Sequence, residues 1–208
     1  MSLEYVLFGN MCSGKTTAAQ VLKTHRDFVV VSAKEIIQNN LESAGPDVKQ
    51  LREKGALLPD DIVIKWVFKE IQTWGARAGR LILDGFPRTR PQAEALLDRY
   101  GKIGRVLYLV FDIGTLERRF CGRFVCNDCD MPLSKSFSDF GGRCLNCGSN
   151  NIGPRPTDKP NYFSVKTAQF KSVSLKVLPV FEEAGSEFVG LHDHSSFGNL
   201  KEEILSIK

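Results

Sequence analysis

A glycine-rich loop near the start of the chain is the feature that most constrains the fold. Residues 9–16 read Gly-Asn-Met-Cys-Ser-Gly-Lys-Thr and lie between a short apolar run and a helical pattern. This spacing of two glycines and a lysine is typical of phosphate-binding loops, in which backbone N–H groups and the positive end of a following helix surround an anion. The loop therefore predicts a strand, a tight turn and a helix in direct succession.

Five short apolar runs recur along the chain, and they predict the sheet to which that first strand belongs. They are rich in β-branched or aromatic residues and lack polar–apolar alternation, which favours strands buried on both faces of a parallel sheet. Because helical patterns separate them, we predict a doubly wound α/β core with five parallel strands. The runs are residues 5–8, 28–31, 81–83, 106–111 and 188–191, and the helical patterns are residues 15–23, 59–74, 91–97, 116–120, 162–184 and 200–207.

Two segments leave this core. Residues 32–59 have a helical pattern, whereas residues 124–156 are rich in turn-forming residues and hold most of the cysteines. We therefore predict a core that is interrupted twice, first by a helical flap and then by a small second insertion. The core would consist of residues 1–31, 60–123 and 157–208.

A second polar run begins at the end of the third predicted strand. Residues 84–89 read Asp-Gly-Phe-Pro-Arg-Thr, and Gln92 follows three residues later. Open α/β sheets bind their ligands beyond the carboxyl ends of the strands. At that position Asp84 is suited to hold a metal-bound water, and Arg88 offers a planar fork that matches phosphate. The run therefore predicts that this sheet edge binds phosphorylated ligands.

Four cysteines predict a structural metal site in the second insertion. Two C-x-x-C pairs stand fourteen residues apart, which is a spacing typical of two knuckles that bind one tetrahedral ion. Four protein thiolates leave no open coordination position, so we expect a structural zinc, or iron in its place. Disulfides are the alternative, which a reducing compartment disfavours. The predicted ligands are Cys126, Cys129, Cys144 and Cys147, whereas Cys121 falls outside the spacing.

The charge of the chain suits small anionic ligands. Its 208 residues carry a net charge of +4, and no dense tract of lysine and arginine occurs. Because basic and aromatic residues do not crowd the cysteine-rich insertion, nucleotides are expected as ligands and nucleic acid is not. The first residues have neither the basic start nor the long apolar run of a signal peptide. We therefore expect a cytoplasmic protein with no membrane partner.

The loop, the Asp84 run and the cysteine-rich insertion occur in the order found in adenylate kinases and their nucleoside monophosphate kinase relatives. The chain resembles that family from Tyr5 to Lys208. The resemblance implies a P-loop NTPase-type core, a helical flap that binds the acceptor nucleotide, and a zinc-ribbon lid. It also implies the reaction MgATP + AMP = 2 ADP in a monomeric chain, with Mg²⁺ bound together with ATP and a structural Zn²⁺ in the lid.

The resemblance also implies roles for individual residues. It places Lys15 at the terminal phosphates of ATP and either Thr16 or Thr17 near Mg²⁺, which Asp84 holds through water. The implied catalytic residues are Lys15, Asp84, Arg88, Arg119, Arg123 and Arg155; the ATP-binding residues are Gly9, Asn10, Met11, Cys12, Ser13, Gly14, Lys15, Thr16, Thr17, Arg119 and Arg123; and the acceptor-binding residues are Ser32, Ala33, Gln38, Ala56, Leu57, Leu58, Gly85, Arg88, Gln92, Arg155 and Lys166.

The chain departs from the family pattern most clearly on the acceptor side. Ala33 and Gln38 stand where the family has a threonine and an arginine, and Lys166 stands where it has another arginine. The loss of a hydroxyl and of a bidentate cation predicts weak use of AMP or a different acceptor, such as CMP, UMP or a deoxynucleotide. A catalytically weak, ATP-binding regulatory protein is a further alternative.

The phosphate loop departs from the pattern as well. Met11 and Cys12 replace a proline and a glycine. Two interpretations of Cys12 are open: inward-facing amides would favour its thiolate, or it serves as a small apolar filler.

Overall fold

The fold is described from a computed structural model, which covers residues 2–26, 28–75, 80–129, 131–134, 141–144, 146–155, 158, 161–192 and 197–207. Strands and helices alternate along most of this length. In chain order the elements are β1 (Ser2–Gly9), α1 (Lys15–Arg26), β2 (Val29–Ser32), α2 (Ala33–Asn40), α3 (Pro46–Glu53), α4 (Asp60–Gly75), β3 (Arg80–Asp84), α5 (Arg90–Tyr100), β4 (Arg105–Leu109), α6 (Ile113–Cys121), β5 (Arg123–Cys126), β6 (Pro132–Ser134), β7 (Ile152–Pro154), α7 (Tyr162–Ser172), a 3-10 helix (Ser174–Lys176), α8 (Val177–Glu183), β8 (Glu187–Leu191) and α9 (Phe197–Ser206).

Five strands form one parallel sheet in the order β2-β3-β1-β4-β8. The central strand, β1, pairs with β3 on one side and with β4 on the other. The register places Leu7 of β1 and Ser32 of β2 opposite Asp84 of β3. The carboxyl ends of these three strands therefore lie next to one another at one end of the sheet. The loops that follow β1 and β3 begin there, side by side. The predicted core of five parallel strands is confirmed.

Helices cover both faces of the sheet. Alternate residues of a strand point to opposite faces, and in β3 Leu83 packs in one apolar cluster while Ile82 packs in the other. Helices α4, α5 and α8 contribute to the first cluster, and α1 and α9 contribute to the second. Burying one such side chain stabilises the fold by about 1.5–3 kcal/mol. The strands that carry the site loops are therefore held firmly from both sides.

The prediction of burial on both faces is wrong for β8. Phe188 of this strand is 38% exposed, whereas Leu191 at its end is fully buried. The reason is topological, because β8 ends the sheet and pairs with β4 alone among the described strands. A strand at the sheet edge has neighbours on one side only.

The prediction of one continuous helix over residues 162–184 is also wrong. Helix α7 ends at Ser172, a 3-10 helix follows, and α8 begins at Val177. Pro179 explains the interruption, since a proline in a helix interior lacks the N–H that would bond to the fourth residue before it. A new helix that begins at Val177 places Pro179 in a first turn, where that N–H has no intrahelical partner.

The two insertions contain the expected kinds of structure. Helices α2 and α3 occupy residues 32–59, and β6, β5 and β7 form a small antiparallel sheet in that order. The domain boundaries stay a prediction, and residues 156 and 157 at the last of them lie outside the described residues. No helix in the described part of the chain combines the length and the apolar character needed to cross a membrane.

Candidate functional site

The loop between β1 and α1 surrounds the side-chain amine of its own lysine, Lys15. Lys15 Nζ donates hydrogen bonds to the carbonyl oxygens of Gly9 and Asn10, at 2.8 and 2.6 Å. A side chain on Gly9 would clash, because a Cβ there would lie 2.8 Å from the carbonyl oxygen of Leu109. Burial lowers the pKa of Lys15 to about 8, with Asp84 opposing the shift and Arg88 adding to it. The loop thus holds a cation that an incoming anion would stabilise.

Asp84 connects the end of β3 to this loop. Thr16 Oγ1 donates to Asp84 Oδ2 at 3.0 Å, so of the two candidate threonines it is Thr16 that reaches the carboxylate. Asp84 is buried, with 7% of its surface exposed. A carboxylate and a hydroxyl are hard oxygen donors of the kind that Mg²⁺ prefers. Asp84 and Thr16 therefore fit a magnesium ion that accompanies ATP.

Arg88 is positioned by the loop that follows Asp84. Its Nε donates to the carbonyl oxygen of Gly85 at 2.9 Å, and its backbone N donates to Gln92 Oε1 at 2.8 Å. Gln92 is buried and its Nε2 donates to Asp60 Oδ1 at 2.8 Å. Both ends of the amide thus have protein partners, and Gln92 supports the Arg88 loop; a contact with the acceptor base stays a prediction.

Asp158 interacts with the arginines at both ends of the second insertion: its carboxylate pairs with Arg123, and its backbone N donates to the carbonyl oxygen of Arg155 at 2.9 Å. Arg123 Nε donates to Asp158 Oδ2 at 2.8 Å, and Arg123 Nη2 donates to the other carboxylate oxygen. Burial lowers the pKa of Arg155, and the charge of Arg123 adds to the shift while Asp158 opposes it. The charge of Asp158 thus offsets part of the repulsion between the two arginines. The sequence pattern did not assign this role to Asp158, which lies three residues after Arg155.

The phosphate loop also contacts Arg123, which directly precedes the second insertion. Arg123 Nη1 donates to Cys12 Sγ at 3.5 Å. The interpretation of Cys12 as a favoured thiolate is wrong, because burial raises the pKa of its thiol even though Arg123 and Lys15 oppose this. Arg119 lies near the end of α6, and its guanidinium group lies over the ring of Phe111, 4.2 Å from the ring centre.

An open cleft lies between the phosphate loop, the Arg88 loop and α7. Lys166 Nζ donates to the carbonyl oxygen of Gly55 at 2.5 Å, which joins α7 to the turn after α3. Burial, together with the charges of Arg88 and Arg52, lowers the pKa of Lys166 to about 8. Of the predicted residues, those that line the cleft are Gly9, Asn10, Met11, Lys15, Leu57, Gly85, Arg88 and Lys166. Those that do not line it are Cys12, Ser13, Gly14, Thr16, Thr17, Ser32, Ala33, Gln38, Ala56, Leu58, Asp84, Gln92, Arg119, Arg123 and Arg155.

Further support for the cleft comes from Thr167, a residue that the sequence pattern did not single out. Asn10 Nδ2 donates to Thr167 Oγ1 at 3.5 Å, and both side chains are buried. This contact joins the phosphate loop to α7 across 157 residues of sequence. No local motif signals such a pair, because it depends on how α7 packs against the sheet.

The four cysteines of the second insertion fit a tetrahedral metal ion. Their sulfur atoms all lie within 4.8 Å of one another, with Cys126–Cys147 at 3.6 Å and Cys129–Cys144 at 3.5 Å. A tetrahedral zinc with bonds of about 2.3 Å would separate its sulfur ligands by about 3.8 Å. A disulfide requires about 2.05 Å, and all four cysteines are free. The cluster therefore has the dimensions of a zinc site.

Two cysteines of this cluster have pKa values that are shifted in opposite directions. The Asn146 side chain donates to Cys129 Sγ and lowers the pKa of Cys129 to about 6. For Cys147, the backbone N–H of Ser149 favours the thiolate, but the neighbouring Cys129 sulfur outweighs it and the pKa rises to about 12. Thiols that share negative charge in this way are stabilised by a divalent cation.

A phosphate loop, an acidic residue on the adjacent strand and a surrounding group of cations define a phosphotransferase of the P-loop class. The model of the family described as "Adenylate kinase" matches residues 7–186. The chain is 30% identical to an adenylate kinase of Zymomonas mobilis, over 88% of this chain and 86% of the relative. It is 31% identical to one of Dehalococcoides mccartyi over 89% and 90%, and 28% identical to one of Novosphingobium aromaticivorans over 99% and 100%.

The chain therefore belongs to the adenylate kinase family and is a nucleoside monophosphate kinase. Members of this family use Mg²⁺ together with ATP, and the oxygen donors of Asp84 and Thr16 agree with that use. The four clustered cysteines agree with a zinc-binding lid.

Proposed function

We propose that this kinase transfers the γ-phosphoryl group of MgATP to AMP and produces two ADP. The observation that carries the proposal is the convergence of Arg88 and Arg123 on Lys15, because both charges contribute to the lowered pKa of this lysine beyond the ends of β1 and β3. Phosphoryl transfer spreads negative charge over the oxygens of the transferring group, and positioned cations stabilise that charge. The family relationship supports the same reaction.

On the donor side, we propose that the phosphate loop binds ATP through its backbone N–H groups and Lys15. Lys15 Nζ would exchange its carbonyl partners for phosphate oxygens, which favour the charged ammonium. Mg²⁺, when bound, supplies charge neutralisation between the phosphates. Arg119 and Arg123 would also contact ATP. The proposed ATP-binding residues are Gly9, Asn10, Met11, Cys12, Ser13, Gly14, Lys15, Thr16, Thr17, Arg119 and Arg123.

On the acceptor side, we propose that Arg88, Arg155 and Lys166 bind the phosphate of the monophosphate. Lys166 keeps the positive charge but offers a point contact in place of a planar fork. The charge of Arg123 acts on Arg155, and we propose that both arginines stand where the two phosphate groups would meet. The proposed contacts to the acceptor nucleoside are Ser32, Ala33, Gln38, Ala56, Leu57, Leu58, Gly85 and Gln92.

The transfer needs no covalent intermediate on the enzyme. The acceptor phosphate oxygen attacks the γ-phosphorus of ATP, and the bond from that phosphorus to the bridging oxygen breaks. Donor and acceptor are both released as ADP. The residues bind and orient the two nucleotides and neutralise charge. We propose that residues 32–59 and 124–156 close over the cleft and exclude water, which limits hydrolysis of ATP. We further propose that the enzyme is monomeric and cytoplasmic, in keeping with its free cysteines.

The test is a turnover assay with purified, zinc-loaded protein, MgATP and a panel of AMP, CMP, UMP, GMP and dTMP. ADP formation from AMP, and formation of ATP and AMP from ADP, supports the proposal. A Lys15→Ala variant controls for contaminating kinase, since it removes the loop cation. Preference for CMP, UMP or dTMP would support the kinase function but identify a different acceptor. Tight binding of ATP with no turnover of any acceptor would contradict the proposal and favour the regulatory alternative.

A further inference from the structure

A further cation, Arg52, lies shortly before Leu57, which lines the cleft. It lies in the last turn of α3, within the inserted segment of residues 32–59, and is half-buried. Neither the phosphate loop nor the Asp84 run includes it, and no motif in the sequence signals it. Its role follows from where the end of α3 is docked and from the charges that surround it.

The docking of α3 onto α7 sets the position of Arg52. The backbone N of Gly55 donates to the carbonyl oxygen of Arg52 at 3.1 Å. The carbonyl oxygen of Gly55 in turn accepts from Lys166 Nζ at 2.5 Å and from Gln169 Nε2 at 3.4 Å. Gly55 has φ +69, and a Cβ there would lie 2.9 Å from the ring of Tyr162. The turn that carries Arg52 is therefore packed directly against the helix that carries Lys166.

The charge of Arg52 acts on cations from three other parts of the chain. It adds to the effect of burial in lowering the pKa of Arg88, of Arg155 and of Lys166. With the residues that the structure describes, the Arg52 side chain makes neither a hydrogen bond nor an ion pair. Like charges that are partly removed from water repel one another. A bound anion would offset this repulsion.

We propose that Arg52 is a phosphate-binding residue for the acceptor nucleotide and acts together with Arg88 and Lys166. The proposal rests on the proposed kinase function and adds a residue to its acceptor site. Arg52 belongs to the acceptor side because it acts on Arg88, Arg155 and Lys166, whereas Lys15 in the phosphate loop is influenced by Arg88 and Arg123. The charge of Arg88 acts on both Lys15 and Lys166. Gln38, on the neighbouring helix α2, is exposed and uncharged and provides no such contact.

The first test compares Arg52→Gln with the wild-type enzyme in steady-state kinetics. The KM for the preferred monophosphate is expected to rise roughly ten- to a hundredfold, because a charge-assisted contact is lost. The KM for ATP is expected to stay within about twofold. Arg52→Lys keeps the charge without the planar fork and should give an intermediate KM. Lys54→Gln, which removes an exposed charge two residues away, is the matched control and should leave both KM values unchanged.

The alternative is that Arg52 only stabilises the carboxyl-terminal end of α3, as a basic residue in a last turn can. In that case Arg52→Gln would lower the melting temperature and leave the KM for the monophosphate unchanged, which would overturn the proposal. Because Arg52→Lys keeps the charge at the helix end, it separates a folding defect from the loss of a phosphate contact.

The second test measures binding by calorimetry, with AMP and adenosine as ligands. Arg52→Gln should weaken the binding of AMP roughly tenfold or more and leave adenosine unaffected, because only AMP carries the phosphate. If the wild type binds AMP but turns over no monophosphate, the proposed function fails, while a selective loss of AMP binding in the variant still supports the phosphate contact. Equal losses for AMP and adenosine, or no loss of AMP binding, would overturn the inference.

Discussion

The two halves of the cleft are built in different ways. On the donor side, Lys15 contacts the carbonyl oxygens of residues that lie five and six positions earlier in the chain. On the acceptor side, Lys166 contacts the carbonyl oxygen of Gly55, which lies 111 positions earlier. One half is thus a single continuous turn, whereas the other half is assembled from α3, α7 and the Arg88 loop. This difference shows which half can change without disturbing the other.

The departures from the family pattern agree with this difference. Ala33, Gln38 and Lys166 all concern the acceptor side, where Ala33 and Gln38 lie on α2 and Lys166 lies on α7. In the phosphate loop, the changes at Met11 and Cys12 leave the backbone N–H groups in place, and Lys15 keeps its position. A phosphate loop binds mainly through its backbone and therefore tolerates changes in side chains. An assembled site depends on the side chains themselves.

The largest effect is expected from Asp84→Asn, which would break both halves at once. Asp84 contacts Thr16 and favours the charged forms of Lys15 and Arg88. We expect kcat to fall roughly 100- to 1000-fold, because the change removes a charge that helps to hold Mg²⁺ and orders two cations. Steady-state assays at saturating MgATP would measure this. The control is Asp98→Asn, an exposed carboxylate on α5; equal loss in both variants would contradict the assignment.

Removal of the lid metal is expected to have the next largest effect. Cys126→Ser takes away one of four sulfur ligands, and a small insertion with so little apolar core depends on its metal for folding. We expect bound zinc to fall from about one per chain to nearly none, and kcat/KM for MgATP to fall roughly tenfold or more, since Arg123 directly precedes the lid and Arg155 lies within it. Zinc analysis and kinetics measure the two quantities. Cys121→Ser, outside the cluster, should retain the metal.

A smaller and selective effect is expected from Lys166→Met. The change removes the hydrogen bond to Gly55 that joins α7 to the turn after α3. The KM for the monophosphate should rise roughly tenfold, while the KM for ATP should change little, because Lys15 does not depend on this contact. Lys171→Met, an exposed residue on the same helix, provides the control. Equal rises in both KM values would show that the two halves are not separate.

The smallest effect is expected from pH. The pKa values of Lys15 and Lys166 are lowered from 10.5 to about 8 in the unliganded protein. The unfolded chain therefore binds more protons between about pH 8 and pH 10.5, so these two groups make folding stability rise with pH across that window. Nucleotide phosphates restore the charged lysines, so binding at pH 8.5 should take up roughly one proton.

Calorimetry in two buffers with different ionisation enthalpies measures this proton uptake. Lys166→Met should reduce the uptake that accompanies AMP and leave the uptake that accompanies ATP unchanged. No uptake with either nucleotide at pH 8.5 would contradict the lowered pKa values. If the proton uptake that accompanies AMP is the same in Lys166→Met as in the wild type, the proton binds to a group other than Lys166.

The sequence by itself determined those features that depend on neighbouring residues. The two glycines and Lys15 dictate a turn between a strand and a helix, the apolar runs dictate buried strands, and two C-x-x-C pairs dictate a metal site. Each pattern restricts local backbone geometry or ligand chemistry, so it can be read without knowledge of the rest of the chain. The five parallel strands and the cysteine cluster were predictable for this reason.

Only the tertiary structure decided which distant groups meet. It pairs Thr16, and not Thr17, with Asp84; it joins Arg123 to Asp158; and it brings Arg52 near Lys166. It also exposes Phe188, because β8 lies at the edge of the sheet. These contacts depend on the order of strands and on how helices pack across them, which sequence spacing does not record. Packing between elements far apart in the chain therefore completes a site that local motifs only begin.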